Sequence, residues 1–140
     1  MPSIPNTSPK DRGEEIYEII IDQDNISRFQ KRQYEFTPYG GMFISEQINA
    51  VNFRLRESDA GYESDWHVAG DPTMIIILAG ALKIILQDGN SQTFVAGDKF
   101  IAGDYIKVGQ EFSADIHGHK AKVIGDVKLR AVHIKLAKRR

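Results

Sequence analysis

The strongest constraint in this chain is a two-residue apolar period, broken at short intervals by turn residues and without any long helical stripe. In Ala50 to Arg56, the residues Val51, Phe53 and Leu55 fall on one face while Asn52, Arg54 and Arg56 fall on the other, because successive strand side chains alternate. This pattern predicts a half-buried strand. Met74 to Leu78 is continuously apolar, and Leu82 to Leu86 follows after Ala79 and Gly80, so both are expected to run through an interior. Asp88-Gly89 is a hairpin signal, since these residues tolerate positive φ, and Gly97-Asp98 forms the next corner.

Further strands are predicted near Glu15 to Ile21, Met42 to Gln47, Gln92 to Val95, Lys99 to Ala102, Glu111 to Asp115, Lys120 to Ile124 and Val127 to Leu136. About nine to eleven short strands with little helix point to an all-β sandwich or barrel. A length of 140 residues matches one domain with a continuous core. The proline-bearing opening, residues 1–13, is expected to be a flexible arm, residues 14–137 the domain, and residues 138–140 a basic tail.

Composition narrows the function classes. With 18 basic and 19 acidic residues there is no net field to attract nucleic acid or an acidic membrane. The absence of cysteine removes disulfides, zinc-thiolate sites and thiol nucleophiles. No run approaches the roughly twenty apolar residues of a membrane span, and the polar start lacks the centre of a secretion signal. A cytoplasmic protein is the simplest expectation.

Gly61, then His67 after five residues, Ala69, Thr73 and, six residues later, Gly80 occupy the frame of the first cupin motif. That motif places a second His at the Ala69 slot and a Glu at the Thr73 slot. Gly97-Asp98 matches the opening of the second motif, with Gly103 at its Pro slot and Val108 at its nominal His slot. The chain therefore resembles the cupins, a superfamily of double-stranded β-helix (jelly-roll) barrels. A closer resemblance, from about Gly41 to Leu136, is to an uncharacterised group of small bacterial cupins. It is carried by Phe53-Arg54, Asp65-Trp66-His67, Leu78-Ala79-Gly80, Asp88-Gly89, Phe94 to Asp98 and Gly118-His119. In place of that group's arginine pair after the Trp-His step, this chain reads Val68 to Thr73, and its segment from Asp104 to His119 is longer.

The resemblance implies a barrel-lumen site without the standard cupin metal set, with a small molecule bound near His67, Thr73 and His119. Tyr105 and Phe112 are expected to roof the mouth, and Trp66 enters as a weaker ligand candidate or as a core or interface residue. His133, between Val132 and Ile134, reads as a structurally satisfied imidazole. An alternative is a metal-dependent enzyme of the dioxygenase, isomerase or lyase kind. It would hold a divalent nickel, iron or zinc ion on His67, His117 and His119, the last two sharing a face if Ile116 to Lys120 is extended. A third possibility is a module that only dimerises. A homodimer is expected under all three, and neither nucleic acid nor membrane is expected as a partner.

Overall fold

A computed structural model describes residues 12–138, so residues 1–11 of the opening arm and the last two of the basic tail lie outside the described residues. Eleven strands and no helix are found among them. They are β1 (Gly13–Ile21), β2 (Ser27–Glu35), β3 (Thr37–Tyr39), β4 (Met42–Ile44), β5 (Ala50–Ser58), β6 (Thr73–Ala79), β7 (Ala81–Leu86), β8 (Ser91–Val95), β9 (Lys99–Ala102), β10 (His119–Ile124) and β11 (Leu129–Leu136).

Strand order defines the fold. One sheet runs β2-β1-β9-β6-β11-β5, a second runs β10-β7-β8, and β3 and β4 form a separate hairpin. The segment before β6 adds to the second sheet: His67 and His119 exchange both backbone hydrogen bonds at 3.0 and 2.8 Å, and Ser64 N–H donates to the Ala121 carbonyl at 2.9 Å. Four segments (β5, β11, β6, β9) thus face four others (residues 62–67, β10, β7, β8), and consecutive strands alternate between the sheets except at the β7–β8 hairpin. This is the two-sheet jelly-roll arrangement.

The two halves of the interior differ in chemistry. Beneath β1, β9 and β6, the apolar sides of both sheets interlock through Ile19, Ile77, Phe100, Leu82, Ile84, Leu86, Phe94 and Leu129. Phe94 of β8 stacks on Phe100 of β9 with ring centroids 4.3 Å apart. Under β5 the inward side chains are instead Asn52, Arg54 and Arg56, alternating with Val51, Phe53 and Leu55. Those three apolar residues are 64%, 67% and 77% exposed, so the apolar face of this strand is the outer one.

The barrel expected from the sequence is not closed: among the described residues no ladder joins the two main sheets. On the open side, β5 turns the polar residues Asn52, Arg54 and Arg56 inward, and these have little apolar packing to gain from closure. The predicted strand at Glu111–Asp115 is also absent, because Gly103 to Gly118 forms an irregular loop with left-handed backbone at Gly109 and Gly118.

Candidate functional site

The site is built on the pairing of residues 62–67 with β10. Gly118, at φ +85°, lets the chain enter β10 against His67; a Cβ there would lie 2.5 Å from the His67 carbonyl oxygen. With the backbones so close, the His67 and His119 rings lie side by side, centroids 4.4 Å apart.

Both imidazoles are held through Nδ1. His67 Nδ1–H donates to the Asp65 carbonyl at 2.8 Å, and His119 Nδ1–H donates to Asp104 Oδ2 at 2.8 Å. In its neutral form each ring then keeps Nε2 as a lone-pair acceptor. Burial, the largest influence, holds the His67 pKa below the usual imidazole value even though the residue stays solvent-accessible. The Asp65 carbonyl and the Asp104 charge oppose that shift, while the neighbouring His119 ring and the Arg56 charge add to it, the latter placing Arg56 within electrostatic reach.

Asp104, just past the end of β9, is fully buried. Its Oδ2 also accepts from Ser27 Oγ at 2.7 Å, its Oδ1 accepts the Ala69 N–H at 3.0 Å, and its carbonyl accepts the Gly70 N–H at 3.0 Å. One acid thus ties β2, the segment before β6 and β10 to the end of β9.

On the facing sheet, Arg56 Nη1 donates to His133 Nε2 at 3.2 Å, which leaves the His133 proton on Nδ1. Arg56 Nε donates to Ser58 Oγ at 3.0 Å, and its guanidinium lies over the Tyr62 ring at 5.6 Å. Burial first, then the charges of Arg56 and Arg54, pushes the His133 pKa down; burial also lowers that of Arg56. A cleft of about 220 Å³ opens here, lined by Asn52, Arg54, Thr73, His133 and Lys135.

Of the sequence-predicted residues, His67, His119 and Thr73 lie on the interior side, with Thr73 Oγ1 donating to the Asp71 carbonyl at 3.1 Å. His117 lies in the turn before Gly118 rather than in an extended run, so it does not share a face with His119. It is buried and its Nδ1 accepts the Ser113 N–H at 2.9 Å, while Gln87 Nε2 braces this turn through the Ala114 and His117 carbonyls. Phe112 packs near the His117 ring, centroids 6.0 Å apart, within the same loop. Trp66 alternates with His67 and lies under Lys120, whose Nζ is 5.5 Å from its ring centre.

Tyr105 lines a different cleft of about 560 Å³, with Glu18, Ile20, Gly70, Pro72 and Lys138. Glu18 and Ile20 alternate with the core residues Tyr17 and Ile19, so this cleft lies on the sheet's outer side rather than over the lumen. Val108 is fully exposed, and His119 on the strand after β9 takes the interior position instead.

These donors do not make the three-histidine metal centre. His117 Nδ1 is engaged in its own loop, and among the described residues no group of three His, Cys, Asp or Glu is arranged to hold a metal ion.

No family model matches the sequence, and no curated protein matches it. Among solved structures, the chain is similar to a cupin-2 domain containing protein from Shewanella frigidimarina. The identity is 17% over 66% of this chain and 81% of that one, with a TM-score of 0.43. A cupin domain from Bordetella pertussis gives 16% identity over 65% and 88% of the two chains, with a TM-score of 0.44. The Cnp3 cupin domain of Schizosaccharomyces pombe gives 15% over 88% and 83%, with a TM-score of 0.41. All three are cupin domains. The likeness concerns the fold, and the jelly-roll assignment for this chain stands on its own strand order.

Sequence reasoning passes over Asp104, Arg54 and Arg56, and gives His133 a structural place. For Arg54, Arg56 and His133 the one local signal is the inward half of a strand alternation, which becomes legible only once the inward face is known; Asp104 lies past the end of β9 and carries none.

Proposed function

We infer that this chain is a small cupin that binds a small molecule in the open half of its lumen, without the standard cupin metal set. One observation carries this: polar side chains from both sheets, Arg56 and His133 on one and His67 and His119 on the other, occupy an interior whose other half is filled by packed apolar residues. A few convergent polar groups beside an apolar core are the usual makeup of a small-molecule site. The test is a fragment screen read by amide chemical shifts on the full chain. Saturable shifts are expected around Arg54, Arg56, His67, His119 and His133. Binders that cluster only in the outer cleft at Glu18 and Tyr105, or the absence of any saturating binder, would overturn the reading.

A second reading rests on the paired imidazoles. With both Nδ1 atoms engaged, His67 and His119 have the outer-shell support that metal-ligating histidines show, and a metal-dependent enzyme would need further ligands beyond these two. Elemental analysis separates the two. One equivalent of nickel, iron or zinc retained by the purified chain and lost in both His67→Ala and His119→Ala would replace the first reading with this one. A chain that binds neither fragments nor metal would leave the dimerisation module.

A further inference from the structure

The open half of the lumen has an unbalanced charge. Arg54 and Arg56 project inward from β5 at alternate positions, and His133 stands opposite Arg54 in the β5–β11 register. Among the described residues neither arginine forms an ion pair with a carboxylate. Glu57, next in sequence, pairs outward with Lys128 at 2.7 Å. Asp71, which lines the outer cleft, is shared by Lys135 at 3.9 Å and Lys138 at 3.6 Å.

The hydrogen bonds add to this picture. Arg56 spends Nε on Ser58 and Nη1 on His133, so the imidazole presents an Nδ1–H. The cleft wall is then rich in donors: the Arg54 guanidinium, the His133 Nδ1–H and the Lys135 ammonium, beside the Asn52 amide and the Thr73 hydroxyl, which can both donate and accept. Two guanidinium groups beside an imidazole, one of them half-buried, repel one another, and an inward carboxylate would relieve that repulsion. The chain supplies none there.

We propose that the lumen ligand carries a small oxyanion, a carboxylate or phosphate group, held by Arg54, Arg56 and the Nδ1–H of His133. The planar fork of arginine matches either group through two parallel hydrogen bonds. The cleft, at about 220 Å³, suits the anionic end of a small ligand. The rest of the molecule would extend toward His67, which the Arg56 charge reaches, and the His119 ring beside it. This proposal rests on the lumen-binding reading above and adds the chemical class.

The experiment is a titration of the full chain, read at the arginine side-chain and histidine ring resonances. The probes are succinate, benzoate and inorganic phosphate, with succinamide and benzamide as neutral controls. At least one anion is expected to saturate with shifts at Arg54, Arg56 and His133 and to weaken as salt rises. Arg54→Gln and Arg56→Gln should each reduce affinity at least tenfold, and Arg56→Lys should recover part of it. Saturation by succinate or benzoate alone identifies a carboxylate, and by phosphate alone a phosphate; either supports the proposal. Amides that bind as well as the acids, or glutamine variants that fold and bind unchanged, overturn it. Neutral fragments binding at His67 and His119 without any anion response also overturn it while leaving the lumen-binding reading intact; silence from every probe removes both.

Discussion

Replacing Asp104 tests whether one buried acid holds the site together. Its carboxylate accepts from Ser27 Oγ, His119 Nδ1 and the Ala69 N–H at 2.7, 2.8 and 3.0 Å, and both Ser27 and His119 are buried. Asp104→Ala strands all three donors. A buried donor left without a partner costs about 1–3 kcal/mol, so the variant should lose roughly 3–6 kcal/mol. That is a large part of the 5–15 kcal/mol typical of a folded domain. Asp104→Asn keeps an oxygen for the Ala69 N–H, and the Ser27 hydroxyl can turn to accept from the new amide. If His119 moves its proton to Nε2, the loss falls to about 1–2 kcal/mol.

Urea unfolding at constant pH is the assay. With a slope of about 1–3 kcal/mol per molar for a small protein, the alanine midpoint should fall by roughly 1 M or more, and the asparagine midpoint by less. Imidazole nitrogen shifts supply a separate readout, since only Asp104→Asn should move the His119 proton to Nε2 in a folded protein. An alanine midpoint within about 0.3 M of the parent would refute the reasoning, because two buried donors and a half-buried one stranded together cannot cost so little.

Gly118→Ala should destabilise by about 1–3 kcal/mol from the left-handed backbone alone, and by more from the 2.5 Å approach to the His67 carbonyl oxygen. Gly89→Ala, also at positive φ but facing open space, is the control, and equal melting temperatures for the two would contradict the close approach. His67 and His133 should titrate below the ordinary imidazole value of about 6.5. Because the unfolded chain then takes up protons first, their contribution to stability is complete above about pH 6.5 and is lost as the pH falls through the folded-state values. A nitrogen-detected titration with the His133 midpoint at or above 6.5 would reject this. Cross-strand apolar pairs Phe53–Ile134 and Leu55–Val132 line the outer side of edge strand β5, and a second copy is expected to cover them. Light scattering should give twice the chain mass of 15.8 kDa, falling to a single chain in Phe53→Asp; a monomeric parent refutes the dimer.

How much of this was legible in the sequence depended on how local the cause was. The strands at Met74, Leu82, Gln92 and Lys99 formed as expected, because apolar runs and the Asp88-Gly89 and Gly97-Asp98 turns specify them locally. β2 is not visible in the periodicity, since both faces of Ser27–Glu35 are largely polar. It forms because the turn at Asp22–Asn25, with Asp22 Oδ1 accepting the Asp24 and Ile26 N–H groups, folds it back onto β1. The run Glu111–Asp115 has strand-like composition but no partner in the fold, so it stays in the loop.

The cupin frame of Gly61, His67, Gly80 and Gly97 is a property of the sequence. So are the missing ligands at Ala69 and Thr73 and the polar–apolar alternation of β5. Alternation defines two faces without saying which one turns inward. Only the tertiary structure decided that Arg54 and Arg56 face the lumen, that Arg56 reaches His133 across 77 residues of chain, and that His119 meets both His67 and Asp104 while His117 does not. The physical reason is that these contacts arise from the register and facing of separate strands, where a shift of one residue exchanges every inward side chain for an outward one.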